Sequence, residues 1–214
     1  IQLSTTTKLI FLVLLLGAFV IIRNMNPSRF KALFSMMTNS TVLNQNRLSI
    51  NGFLNIQLGL FYLFFFLNLS YFIFLSELQG FWQGPFTGFK LYSFVFGLVF
   101  GIYLIKYIVL WLIEYAFDIR RVIPNHLFST SIHNIVLGFA LFGINAFFAF
   151  TQGGFSKFLL ILGIIMIVLI YLWRQFRGFT FMPAIRRFSF FHFFLYLCAC
   201  EISPLLVIIK LVTS

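Results

Sequence analysis

The sequence predicts an all-α protein, a polytopic transmembrane helix bundle of about six spans. Three observations carry that fold class. First, 61% of the 214 residues are hydrophobic and only 9% are charged. A soluble domain carries about 25% charged residues, and so few charges cannot cover a water-facing surface. Second, the apolar residues gather in six runs of roughly 18–25 residues, the length a helix needs to cross about 30 Å of hydrocarbon. Third, the basic residues alternate in density from one connection to the next. Membrane strands are excluded, because runs such as LFYLFFFLNLSYFIFL lack the period-two polarity of a barrel strand. Helices satisfy their own backbone polar groups in lipid.

The elements follow in chain order within one integral membrane domain, 1–214. The first span, about 3–22, has the core LIFLVLLLGAFVII. No small-residue cleavage site follows it, so it reads as a retained span rather than a signal peptide. The chain begins at Ile1, and a further N-terminal piece is expected before it. Next comes a basic amphipathic segment, 28–50. Phe30, Leu33, Phe34 and Met37 share one helical face there, with Arg29 and Lys31 beside it. Such a helix fits the membrane interface, apolar side down and basic groups near anionic headgroups; a partner-binding helix is the rival role. The remaining spans are about 53–75, 91–113, 132–150, 155–172 and 188–212. Trp82, Trp111 and Trp173 fall near span ends, as an aromatic belt predicts.

Charge gives the direction. The connections after spans one, three and five carry ten of the fifteen basic residues, among them Arg23, Arg47, Arg120, Arg121, Arg174, Arg177 and Arg187. The opposite side has Lys8, Lys90, Lys157 and Lys210, and Lys106 lies within a span. The positive-inside rule then puts those three connections in the cytoplasm and both ends of the segment in the periplasm of a bacterial inner membrane. The net charge of +11 is explained by this orientation. Nucleic acid is not an expected partner: the basic stretch RQFRGFTFMPAIRRF has no stacking fold around it. His126 is expected to be solvated in the third connection.

Ionisable and amide groups at membrane depth are the candidate functional residues. They are Glu201 and His192 in span six, Lys106 in span three, Asn145 in span four and Asn68 in span two. Gln57 is expected nearer the cytoplasm, while His133 and Glu114 are expected near span ends. Counted from the inner ends of their spans, Glu201 and Asn145 lie thirteen residues in and Asn68 fifteen, roughly 20 Å. All three therefore share a level near the midplane. Lys106 lies roughly 9 Å closer to the cytoplasm.

Glu201 admits two roles. It is either a proton or cation site with Asn68 and Asn145 as neighbours, or a buried carboxyl bonding across helices to fix their packing. His192 and Glu201 are nine residues apart and so on opposite faces of a straight helix, which weakens a shared pathway. Pro204 frees the carbonyl of Cys200 and makes a polar side chain less costly there. Gly97 and Gly101 form a small-xxx-small pair that permits close helix packing, against another span or another copy.

Cys198 and Cys200, in a C-x-C, are too strained for a mutual disulfide in a helix. They are also too few for structural zinc. No zincin, P-loop, nucleophile-elbow or dinucleotide motif occurs. No metal, no cofactor and no enzymatic activity are therefore expected. The expected function is a non-enzymatic inner-membrane subunit that scaffolds or regulates a cell-envelope complex, in secretion or energised transport. Its expected partners are lipid and other membrane subunits or further copies. The alternative is a small ion- or proton-coupled transporter or channel component using Glu201.

NPSRFKALFSMMTN after the first span and the closing FFHFFLYLCACEISPLLVIIKLV together resemble an uncharacterised family of polytopic inner-membrane proteins frequent in Bacteroidota. The resemblance would cover nearly the whole chain. It implies membrane localisation and lends weight to Glu201, Pro204 and Lys210, without bringing an activity.

Overall fold

The computed structural model describes residues 5–25, 54–76, 88–117, 122–151 and 153–180. Within them lie five helices and no strand: α1 (Thr5–Met25), α2 (Leu54–Ser76), α3 (Phe89–Phe117), α4 (Val122–Phe148) and α5 (Gly154–Thr180). Four stretches are long and apolar enough to cross a membrane: Leu58–Ser76, Phe89–Leu112, Leu127–Phe148 and Gly154–Phe176. The chain is thus consistent with a multi-pass membrane protein. The expected sixth span, 188–212, and the amphipathic segment, 28–50, lie outside the described residues.

α2 and α4 form the centre. In each, 56% of an 18-residue apolar stretch is buried, against 17% in α3 and α5. α4 packs most extensively on α2 and next on α5, while α3 and α1 lean on α2. The neighbours alternate in direction. Phe11, near the start of α1, stacks on Tyr71 near the end of α2, and Phe19 farther along meets Phe64. Likewise Tyr92 near the start of α3 meets Phe74, and Tyr103 meets Tyr62 and Phe66. α2 and α4 run parallel, since Phe64 packs on Phe139 and Phe72 on Phe148. The ends of α1 and α3 and the starts of α2 and α4 therefore lie on one side of the bundle, and α5 runs against α4, with Gly163 at Phe72 and Arg174 at Asn134.

Local chemistry sets the helix ends. Pro124 sits in the first turn of α4, where a missing N–H costs no intrahelical bond. At the far end the Thr151 hydroxyl donates to the Phe147 carbonyl at 2.6 Å. Gly153, with φ of 77°, then turns the chain into α5 in a left-handed conformation that favours glycine.

α2 and α4 approach closely at a single glycine. A Cβ on Gly138 would lie 2.8 Å from the Phe65 Cα and 3.0 Å from its Cβ. Backbone-level contact of this kind supplies dispersion where lipid removes any hydrophobic drive for helix association. At Gly97 and Gly101 an added Cβ meets nothing within 4 Å among the described residues. The expected packing role of that pair is therefore not seen between these helices.

The outer faces are apolar. Leu104, Ile105 and Ile108 on α3 are exposed, as are Ile161, Ile165, Leu169 and Leu172 on α5. Surfaces this wide and this apolar suit lipid or a membrane partner rather than water.

Candidate functional site

Polar side chains make two cross-links among α2, α4 and α5, and others line a cavity between α2, α3 and α4. The deeper cross-link joins α2 to α4. Asn145 is 1% exposed and Asn68 is fully buried. The Asn145 Nδ2 donates to the Asn68 backbone carbonyl at 2.9 Å and reaches its Oδ1 at 3.4 Å. Asn68 in turn donates through Nδ2 to the Phe64 carbonyl one turn back, at 2.9 Å. An amide in hydrocarbon must find such partners or bear the desolvation cost. The side-chain Oδ1 of Asn145 accepts no hydrogen bond from the described residues.

Replacing Asn145 by leucine is expected to lower the stability of the bundle by about 0.6 kcal/mol and by no more than about 1.7, the range for interhelical hydrogen bonds in membranes. Unfolding of the purified variant in a mixed-detergent series checks this.

The second cross-link lies toward the start of α2 and α4 and the end of α5, and it ties three helices. Arg174 is only 7% exposed. Its Nη1 donates to Asn134 Oδ1 at 3.3 Å. Asn134 then donates through Nδ2 to the Tyr62 hydroxyl at 3.0 Å. A guanidinium only donates, so it fixes which end of the Asn134 amide faces it. The guanidinium also lies over the Tyr171 ring, 4.7 Å from its centroid, where the ring quadrupole favours a cation.

Beside this group, His133 is 1% exposed and is drawn into the core rather than left at an interface. Its Nδ1 donates to the Ser129 carbonyl at 2.7 Å, which puts a proton on that nitrogen, since a carbonyl only accepts. The Ser131 hydroxyl makes the equivalent one-turn bond to the Leu127 carbonyl at 2.8 Å.

The arrangement differs from the sequence expectation at further residues beside His133. Arg174, assigned by charge to a connection, lies inside α5, which continues to Thr180 and carries Arg177 as well. His126, assigned to the third connection, belongs to the helical backbone of α4. Asn134 and Tyr62 were not among the candidates. The signal for Arg174 was in the sequence nonetheless: Ser156, Leu160, Gly163, Ile167, Ile170 and Arg174 follow at alternating steps of four and three, one helical stripe turned toward the bundle.

Of the sequence candidates, Asn68 and Asn145 are brought into contact. Lys106 is not part of that pair; it lines a cavity between α2, α3 and α4. Glu201, His192, Pro204 and Lys210 lie outside the described residues. Among the described residues no group of three or more His, Cys, Asp or Glu side chains is placed to hold a metal ion.

The described residues form five mainly apolar helices cross-linked by buried amides and a guanidinium, consistent with a multi-pass membrane protein. Residues 9–212 match the family model described as a domain of unknown function, DUF4271, and the chain belongs to that family. Comparison with curated proteins and with solved structures returns no match.

Proposed function

We propose that the chain is a non-enzymatic integral subunit of a bacterial inner-membrane assembly, scaffolding or regulating a cell-envelope complex that serves secretion or energised transport. It crosses the membrane six times, with both ends of the segment in the periplasm and the three basic connections in the cytoplasm. The alternating helix directions support this, because they bring the ends of α1 and α3, which precede the basic stretches, to one side.

One observation carries the scaffold reading. Buried amides and a guanidinium of α2, α4 and α5 are engaged across the helices: Asn145 with Asn68, and Arg174 with Asn134, which also bonds Tyr62. Engaged side chains hold helices in register; a conduction path needs groups that exchange partners. The apolar outer faces of α3 and α5 offer surface to lipid and to neighbouring subunits.

A transporter built around Glu201 has one observation in its favour. Asn145 Oδ1 accepts no bond from the described residues, and the depth reckoned for Glu201 matches that of Asn145. A protonated carboxyl there would be a suitable donor. Glu201→Gln separates the two, since it keeps shape and hydrogen bonding but cannot ionise. The scaffold reading expects Glu201→Gln to assemble like wild type on native gels, with no pH-gradient-driven proton flux in proteoliposomes of either form. Flux by the wild type that is lost in Glu201→Gln overturns it.

A further inference from the structure

Ser129, His133, Val136, Ala140, Gly143 and Phe147 of α4 follow at alternating steps of four and three, so they form one stripe. At 100° per residue this stripe lies roughly opposite Gly138, the residue that packs on α2. α1 meets α4 on one flank, through Phe139, and α5 meets it on the other, through Asn134. The stripe therefore points away from the helices that surround it.

An outward stripe on a lipid-facing helix is expected to be exposed along its length. Toward the end of α4 it is: Gly143 is exposed, and Phe147 is 67% exposed. Nearer the start it is covered. His133 is 1% exposed and Val136 8%, while Ser129 and Ala140 on either side are half-buried. Val136 belongs to none of the apolar clusters formed among the described residues, so its cover comes from chain outside them.

The cover is a belt rather than a rib. Ser129 to Ala140 spans roughly 16 Å of helix rise, and a helix is about 10–12 Å across. One helix lying across α4 covers that height. A span running alongside α4 would cover Gly143 and Phe147 as well.

We infer that the amphipathic segment 28–50 docks here, its apolar side of Phe30, Leu33, Phe34 and Met37 laid across α4 at His133 and Val136. The segment follows α1, which ends at Met25 beside the stripe, where Ile22 and Ile132 belong to one apolar cluster. The chain re-enters the bundle at Leu54, and the start of α2 lies on the same side as the end of α1. Both ends of the segment are thus tethered near the belt. The depth also fits. Val136 is five residues, roughly 8 Å, past the polar run Ser129-Thr130-Ser131, and an interfacial helix sinks about 5–10 Å. Arg29 and Lys31, beside the apolar side, then stay at the headgroup layer. The docked segment closes the outer side of α4 next to Asn134, which carries the link to Arg174 and Tyr62. Docking of this kind is independent of the scaffold role.

The test places a photoreactive diazirine side chain at position 136, and separately at 147, of the full chain in native membranes. Captured material is identified by mass spectrometry, and mixed light and heavy chains separate capture within one chain from capture between copies. Position 136 is expected to capture residues 28–50 of its own chain, and position 147 to capture lipid. Phe30→Ser/Phe34→Ser is expected to lower capture at 136 about fivefold, through the loss of two ring contacts, and to leave capture at 147 unchanged. Where that double variant fails to insert, capture by position 136 in the otherwise unaltered chain decides by itself. Capture at 136 of residues 181–214, of a second copy, of another protein or of lipid alone overturns the inference. Undiminished capture in an inserted Phe30→Ser/Phe34→Ser does so too.

Discussion

Replacing Gly138 by alanine lowers the stability of the bundle by about 1–3 kcal/mol, the cost of overpacking a tight contact. The added methyl lands 2.8 Å from the Phe65 Cα, and the obstacle is backbone rather than a side-chain tip that can swing away. α2 and α4 must move apart, and the aromatic contacts beside the glycine loosen, Phe64 with Phe139 at 5.0 Å among them. The gain in helix propensity from glycine to alanine, at most about 1 kcal/mol, opposes this but is smaller. Gly138→Val is worse, since the branched side chain places more atoms in the same gap. Gly97→Ala and Gly101→Ala are the controls. Neither added methyl meets anything within 4 Å among the described residues, and both variants stay within about 1 kcal/mol of wild type. Unfolding of all four in a mixed-detergent series gives the comparison.

The second large effect is at Asn134. Asn134→Leu costs about 1.5–3 kcal/mol, the worth of a hydrogen bond to a charged group. Two partners suffer at once: the buried Arg174 guanidinium loses an acceptor, and the Tyr62 hydroxyl loses a donor. Arg174→Met alone leaves the Asn134 Oδ1 without that donor and is destabilising for the converse reason. The double variant Asn134→Leu/Arg174→Met removes the buried charge together with its acceptor. It is therefore expected to lose less than the sum of the two singles, with a coupling of about 0.5–3 kcal/mol. Additive losses in that double-mutant cycle would show that the two side chains act independently.

Some of this architecture was legible in the residues. α2 was expected over 53–75 and is found at Leu54–Ser76. Its apolar run is long, with Asn68 and Ser70 as the polar residues beyond its first turns, and Asn51-Gly52 before it gives a turn signal. α4 begins ten residues earlier than its expected span, at Val122 instead of 132. Hydropathy marks where hydrocarbon begins, not where hydrogen bonding begins, and the polar residues of NHLFSTSIHN lowered the apolar signal of a stretch that is helical throughout. The same distinction hid Arg174. Its charge suggested a connection, whereas the alternating steps of three and four from Ser156 place it on the inward stripe of α5.

Asn68 and Asn145 were placed at one depth by counting from apolar boundaries, and they touch. The count works because both helices enter the bilayer from the same side and run parallel. Gly138 gave no such signal. It is a lone glycine without a partner four residues away, while the Gly97–Gly101 pair that has the pattern makes no close contact among the described residues. Pattern alone cannot say which face of a wholly apolar helix turns inward. Here the neighbouring surface, Phe65 on α2, decides it.

The central claim is that this bundle serves an assembly. Co-isolation tests it most directly: the full chain is tagged, extracted from its native membranes in a mild detergent, and its mass and co-purifying subunits are determined. The account predicts a defined complex, larger than one chain, with reproducible membrane-protein partners or further copies. It also predicts that Gly138→Val loses that complex while Gly97→Ala keeps it. Recovery of the chain alone, folded and monomeric, together with proton flux in proteoliposomes that depends on Glu201, would contradict it.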